Sequence, residues 1–354
     1  MADEMWLDNT HPMLRRCWHP VARVEELADG GPLAVELLGE RWCIARLDGQ
    51  LAALEDECPH RLSPLSAGTI EVTAEGAGLR CAYHGYKFAA DGTCIEIPAQ
   101  SPDAPIPARA ACGAAARVVE HLGLIWIAPE SPITDLPRVP EHEDESFVQC
   151  PLPTMTWNAS AAQMADNFLD PGHLGFLHLD TFGTMEDRRV SEYEVVRDGP
   201  SFSVRYEHTT KALADSFQAG DEFRTVERES FWIFTPPHHV YLRLGYAEES
   251  TVMSITFFHQ PVNAETTRLF CTDYRNDIAD DPDEVAGVVA FQQAVAAEDK
   301  VLLERLHRKA VPLDLTTEFH TKADRITLEM RRVLRELVDR VATKTDITHA
   351  GEPT

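Results

Sequence analysis

The chain has 354 residues, with 32 Lys and Arg against 58 Asp and Glu, for a net charge of −26. That excess of acid argues against nucleic acid or an anionic membrane as a partner. With 44% apolar and 25% charged residues, the composition is that of an ordinary globular protein long enough for two lobes.

The opening MADEMWLDNTHPM has acids and no apolar core, so it does not read as a secretory signal. No apolar run approaches the ~18–20 residues that span a bilayer, so no membrane association is expected. The eight scattered cysteines are too sparse for a disulfide scaffold and point to a reducing cytoplasm. From about residue 20 to 128 the chain reads as short strands. RWCIARLDGQLAALED predicts a hairpin turning at Asp48-Gly49, KFAADGTCIEI repeats the device at Asp91-Gly92, and LGLIWIA (122–128) suits a buried strand.

Within this stretch lie Cys58-Pro-His60 and Cys81-Ala-Tyr-His84. A zinc knuckle normally takes two cysteines from one loop. Here each loop offers one cysteine and one histidine, which suits a [2Fe–2S] cluster with a thiolate from each loop on one iron and an imidazole from each on the other. Imidazoles in place of two thiolates leave the cluster less negative and raise its potential. The other six cysteines are expected to be small buried apolar residues.

The proline- and acid-rich SPITDLPRVPEHEDE predicts a linker over 131–149 between a first domain (1–130, core about 18–128) and a second (150–345). In the second, ASAAQMADNFLDPGHLGFLH reads as a helix broken at Pro171-Gly172. Strands turning at Asp198-Gly199 follow, then a strand-rich region to about 262, then long helices at 281–309 and 317–342. The tail, 346–354, is expected to fray.

Asp170, His173 and His178 fall within nine residues. On a regular helix two residues five apart diverge by ~140°, so the break is what can turn both imidazoles to one point. Two imidazoles and a carboxylate form the facial triad of non-haem Fe(II) sites, which leaves coordination positions free. On the 281–309 helix the inward stripe runs Val285, Val288/Val289, Gln292, Val295/Ala296, Asp299, Leu302/Leu303, Leu306. Asp299 lies on it, where a metal or a cation such as Arg305 must compensate a buried carboxylate, and a metal fits better. Glu298 points off the stripe. Asp170 is either a further ligand or an acid that orients a histidine, and its place before the break favours the second. Substrate contacts are expected from Gln163, Phe168, Phe176, Phe231, Ile233, Tyr241 and Phe257, whereas His238 and His239, after two prolines, read as turn decoration.

C-x-H…C-x-x-H followed by glycine and aromatics (His84-Gly-Tyr-Lys-Phe) resembles the Rieske domain. The twenty residues between His60 and Cys81 exceed the usual gap, and the excess falls in EVTAEGAG, a lengthened hairpin that costs little. With Asn167, Asp170, His173 and His178 matching N-x-x-D-x-x-H-x4-H, and Glu-Asp-Lys at 298–300 as the distal carboxylate, residues about 10–345 resemble the oxygenase (α) component of Rieske non-haem iron aromatic-ring-hydroxylating oxygenases. Chain length and the Asn-to-Asp spacing look most like the homotrimeric monooxygenase and O-demethylase branch.

The resemblance implies an α+β chain: an all-β Rieske domain, then a helix-grip (START-like) catalytic domain. It implies Cys58, His60, Cys81 and His84 on the cluster, His173, His178 and Asp299 on Fe(II), and Asn167 supporting the iron from outside its ligand set. It further implies a head-to-tail trimer in which Asp170 bridges His173 to His84 of the next protomer. No flavin, NAD or plant-type ferredoxin signature occurs, so electrons from NAD(P)H must arrive through a separate flavin reductase, a ferredoxin, or both. With O2 and a small aromatic or cyclic substrate, hydroxylation or oxidative demethylation is expected. The alternatives are a cis-dihydroxylating dioxygenase and, further off, a non-catalytic Rieske electron carrier or a zinc-stabilised binding module.

Overall fold

The computed structural model describes residues 6–27, 30–74, 76–183, 188–212, 224–246 and 251–349. Its contacts divide the chain into two units, one of residues 14–133 with 260–263, the other of 1–13, 134–259 and 264–354.

After β1 (Trp6–Asp8), which belongs to the second unit, the first unit is built from ten short strands: β2 (His19–Arg23), β3 (Leu33–Leu37), β4 (Glu40–Leu47), β5 (Gln50–Glu55), β6 (Thr69–Thr73), β7 (Gly76–Arg80), β8 (Lys87–Phe88), β9 (Cys94–Glu96), β10 (Arg117–His121) and β11 (Leu124–Ala128). They form sheets ordered β3-β4-β5, β6-β7-β8-β9 and β10-β11-β2. The β4–β5 turn carries positive φ at both Asp48 and Gly49, the twist that a two-residue hairpin demands. β11 is buried at every position. EVTAEGAG forms the β6–β7 hairpin, with Thr73 opposite Gly76; Glu75 at its tip lies outside the described residues. The core between the sheets gathers Leu54, Leu65, Leu79 and Phe88 with Cys43, Cys58, Cys81, Cys94 and Cys112.

The second unit comprises β12 (Val148–Pro151), β13 (Met155–Trp157), α1 (Ala161–Phe168), α2 (Leu174–Leu177), β14 (Glu194–Asp198), β15 (Ser201–Ala212), β16 (Arg224–Thr235), β17 (His239–Tyr246), β18 (Val252–Pro261), β19 (Thr267–Arg275), α3 (Pro282–Leu303), β20 (Ala310–Pro312) and α4 (Arg325–His349). An eight-stranded sheet of order β12-β19-β18-β17-β16-β15-β14, with β13 also on β19, meets α3 on one face; β1 pairs with β20 apart from it. Trp157, Met164, Leu244, Ile255, Leu269 and Leu303 fill the space between.

Several expectations change in detail. α3 stops at Leu303, so Leu302 and Leu306 at the end of the supposed stripe are exposed. The last helix starts later than residue 317, because Thr321 and Asp324 make a reciprocal capping box that sets its first turn, and it continues to His349 instead of fraying from 346; residues 350–354 lie outside the description. His238 and His239 sit at the β16–β17 turn yet are buried, each 1% exposed. The expected linker is partly folded: Glu141 in its 3-10 turn is buried and accepts hydrogen bonds from Tyr241 (2.7 Å) and Ser254 (2.8 Å).

Gly92 has φ +83°, and a Cβ there would stand 2.2 Å from the Cys112 carbonyl oxygen, a backbone atom that cannot turn aside. Gly49 has a similar φ of +78° with nothing within 4 Å. Gly49→Ala should therefore cost only its backbone strain, about 1 kcal/mol, whereas Gly92→Ala should cost clearly more. Thermal unfolding of the two variants measures the difference, and equal losses of stability would contradict this packing.

Candidate metal centres and active site

The two ligand loops of the first unit share one backbone design. Leu62 N–H donates to Cys58 O (2.8 Å) as Gly85 N–H donates to Cys81 O (3.0 Å). Cys58 and Cys81 N–H donate to Ser63 O and Tyr86 O, both at 2.8 Å. Leu62 and Gly85 both take left-handed φ, 57° and 72°. The result is two matching knuckles with both sulfurs buried, while the His60 and His84 rings lie 4.5 Å apart and His84 is exposed. Tyr86 stacks on His60 at 4.6 Å.

The donor set suits a mixed-ligand [2Fe–2S] cluster. Burial, and after it the neighbouring Cys81 sulfur, pushes the Cys58 thiol up to about 11 against the pull of backbone N–H groups, so thiolates here need a compensating cation. His60 is held below its ordinary range, first by desolvation and then by His84 and Arg61, which keeps it in the neutral form that ligates metal. Its Nδ1 is buried without a hydrogen-bond partner among the described residues, as a ligand atom would be.

In the second unit α1 begins with a Ser160–Gln163 capping box and ends at the Leu169–Gly172 break, after which His173 stands at the N-cap of α2. The break turns both imidazoles to one point, and α3 brings Asp299 to meet them. His173 Nε2 and His178 Nε2 are 3.2 Å apart, and they stand 3.7 and 3.3 Å from Asp299 Oδ1. Ligands ~2.1 Å from one metal ion at angles near 90–110° lie ~3.0–3.4 Å apart; two sides of the triangle fall in that range and the third is a few tenths wider, close to what a single ion needs. Among the described residues these are the His, Cys, Asp or Glu side chains grouped closely enough to hold one.

The surrounding groups orient the donors. Glu298 Oε2 accepts from His178 Nδ1 at 2.7 Å and from Thr181 Oγ1 at 2.8 Å, which leaves Nε2 as the ligand nitrogen. Glu298 therefore does not point away from the site as its helical position suggested: the α2 segment reaches round far enough to meet two adjacent residues of α3. Asp170 accepts from the Gly172 and His173 N–H groups (2.7 and 3.2 Å) and lies 3.4 Å from His173 Nδ1. Burial would raise its carboxyl, but His173 and these N–H groups hold it below the usual range. Asn167 Nδ2 donates to Asp299 Oδ1 at 2.9 Å. Burial would lower His178, yet Asp299 and Glu298 raise it overall, so the pocket favours a positive charge at this spot.

A cavity of about 860 Å³ opens beside the triad between the sheet and α3. Phe168, stacked on Phe257 at 4.3 Å, and Trp232, whose Nε1 donates to Phe168 O, line it together with Leu242, Leu244, Met253 and Ile255. The remaining expected contacts lie elsewhere. Phe231, Ile233 and Tyr241 point to the opposite face of the sheet, because Ser230, Trp232 and Leu242 take the cavity face and side chains alternate along a strand. Gln163 is held by the Ser160 cap and donates to Arg308 O, and Phe176 is 59% exposed on α2. Residues the pattern did not reveal include Arg228, Trp232, Phe182 and Glu298; the β16 alternation was visible, but which phase faced inward was not.

A model of the Rieske [2Fe–2S] domain matches residues 17–118. One of the vanillate O-demethylase oxygenase C-terminal domain matches 157–340. The chain is a Rieske oxygenase. Methylxanthine N1-demethylase NdmA of Pseudomonas putida is 31% identical over 342 residues, covering 94% of this chain and 91% of its own. The putative toluene-4-sulfonate monooxygenase system iron-sulfur subunit TsaM2 of Comamonas testosteroni is 28% identical over 85% of this chain and 92% of its own. The structure of NdmA superposes with a TM-score of 0.80 at 29% identity, over 95% of this chain and 94% of that one. This Rieske oxygenase is thus an oxidoreductase of the monooxygenase and demethylase branch that uses a [2Fe–2S] cluster and a mononuclear iron. No described helix is long and apolar enough to cross a membrane.

Because Glu298 fixes the His178 tautomer, Glu298→Gln should weaken retention of the mononuclear iron by roughly 10- to 100-fold and leave the cluster spectrum intact. Iron counted per chain after dialysis against a chelator tests this; full retention would show that Glu298 is dispensable.

Proposed function

We propose that this oxygenase inserts one atom of O2 into a C–H bond of a small cyclic substrate, with the other atom leaving as water. Where the carbon is a methyl on O or N, the product is a hemiacetal or hemiaminal that collapses to formaldehyde and the demethylated molecule. The observation that carries this reading is the donor triangle of His173, His178 and Asp299 at the wall of a largely apolar cavity.

Cys58, His60, Cys81 and His84 would hold the [2Fe–2S] cluster, and the triangle would hold the iron. Loaded, the two sites supply single electrons and oxygen activation. The chain's own residues do the rest. Phe168, Phe257 and Trp232 bind the substrate ring and exclude water, Glu298 and Asp170 keep the two imidazoles in their ligating tautomers, and Asn167 steadies Asp299. The relatives act on a methylxanthine and, in the second case, by name on toluene-4-sulfonate; both are small cyclic compounds. A separate reductase, alone or through a ferredoxin, supplies the electrons, and a cytoplasmic setting agrees with cysteines that form no disulfide among the described residues.

The proposed assembly is a head-to-tail trimer in which Asp170 links His173 to His84 of the next protomer. The 30% exposure of the Asp170 side chain and the exposed His84 ring support this by leaving both ends free to meet another copy. The proposed domains keep the expected order, cluster then iron, but residues 1–13 join the iron-binding unit instead of the expected 1–130 cluster domain.

Reaction under 18O2 with a surrogate reductase tests the chemistry. One labelled atom in a phenol, or labelled formaldehyde, is expected, whereas a doubly labelled cis-diol would make this a dioxygenase. Asp170→Asn should keep about three irons per chain and lose roughly 10- to 100-fold in turnover. Intact turnover with both centres loaded would remove Asp170 from the electron path.

A further inference from the structure

Three arginines among the described residues are buried: Arg228, Arg275 and Arg331. Arg275 makes a two-pronged contact to Asp277 (2.7 and 2.6 Å), and Arg331 pairs with Asp166 and Glu318. Arg228, 7% exposed, has no carboxylate within ion-pair distance among the described residues. Its Nε donates to His208 Nε2 at 3.3 Å, and its guanidinium carbon lies 5.3 Å from the centre of the Phe182 ring. His208 cannot supply the missing charge. It is neutral, since burial and then the Arg228 cation push it down to about 2, and its Nε2 is shared with Ser230 Oγ at 2.9 Å. A buried cation without a counter-charge is costly, and folded chains rarely keep one unless something else pairs with it.

This cation, without a carboxylate partner among the described residues, lines the cavity as well as a small pocket beside Phe182 and His208. Arg228, Ser230 and Trp232 alternate into the cavity from β16. Phe182 is stacked on the iron-site residue His178 at 4.8 Å, so a single phenyl ring links Arg228 to the donor triangle. The guanidinium is thus within the reach of one substituted aromatic ring from the reacting end. The acids of the cavity wall do not compete for it. Asp170 and Asp299 are engaged with His173 and His178. Asp277 follows β19, three strand spacings or about 14 Å from β16, and Asp283 and Glu284 lie on the first turn of α3.

We infer that Arg228, assisted by Ser230, is the anion anchor of the substrate pocket, and that the substrate is an aromatic carboxylate oxidised at the end of the ring away from its acid group. The planar fork of a guanidinium matches a carboxylate with two parallel hydrogen bonds, and the charge-assisted pair forms where water is largely excluded. The inference rests on reading this cavity as the oxygenase's substrate pocket.

The test compares binding of 4-methoxybenzoate and 4-methoxybenzamide to the iron-loaded protein by calorimetry, followed by their O2-dependent turnover with a surrogate reductase. The acid should bind roughly 10- to 100-fold more tightly than the amide. Arg228→Gln should abolish that preference while amide binding changes little, and Arg228→Met serves as the second variant should the first fail to fold. Equal binding of acid and amide by the wild-type protein, or a preference that survives loss of the guanidinium, overturns the assignment. Acid-selective binding without oxygenation would sink the oxygenase reading and leave the anchor standing. Oxygenation of the amide without acid preference would sink the anchor alone.

Discussion

Asp299 is a carboxylate only 3% exposed, set by a 22-residue helix against two imidazoles, and its burial is tolerable only if a cation meets it there. Much of the catalytic unit can be read as the means of delivering that cation's other ligands. The helix across the break must stop at Leu169 so that His173 and His178 turn to one point. Glu298 must hold the His178 ring by its far side, and Asp170 lies 3.4 Å from His173 Nδ1. Asn167, one turn before the break, must satisfy the Asp299 oxygen. Asp299 and Glu298 raise the His178 imidazole against the effect of its burial, so the site favours positive charge where a metal would bring it.

The cavity obeys a different constraint, the alternation of side chains along the sheet. β16, β17 and β18 each place every second residue on the face toward α3, which produces a wall of Trp232, Leu242, Leu244, Met253 and Ile255. Polar groups are admitted there only when something fixes them. Gln292 donates to Asp273 at 2.8 Å, and burial pushes that carboxyl up to about 7 even though Arg275 and Gln292 pull it down. Arg275 is neutralised by Asp277, so the charge that stands out on this wall is Arg228.

The two centres are assembled in contrasting ways. The candidate cluster ligands come from two loops closed by the same pair of backbone hydrogen bonds, so each half-site is complete within about six residues of chain and the sheets need only bring the halves together. The iron site instead joins residues 173–178 to residue 299, and nothing local specifies that meeting. It depends on the sheet and α3 packing around Trp157, Met164 and Leu303.

This contrast explains what could be read before any coordinates. The Cys-x-His and Cys-x-x-His loops, the hairpin turn at Asp48-Gly49, the second hairpin (its turn at Gly199-Pro200, one residue later than expected), the break at Pro171-Gly172 and the buried acid at Asp299 were legible in the sequence, because each is a short-range matter of ligand type, turn chemistry or helical phase. Which face of each strand looks inward was not. Tyr241 and Phe231 carry the same alternation as Leu242 and Trp232, and only the side on which α3 packs distinguishes them. Glu298 was misread for the same reason, since a helix wheel assumes one buried side and the loop carrying His178 supplies a second contact. The sequence by itself pointed to the two metal centres and to the residues that could hold them. Tertiary structure alone decided the shape and charge of the space beside them, because that space belongs to no single element and exists only where the sheet and α3 enclose it.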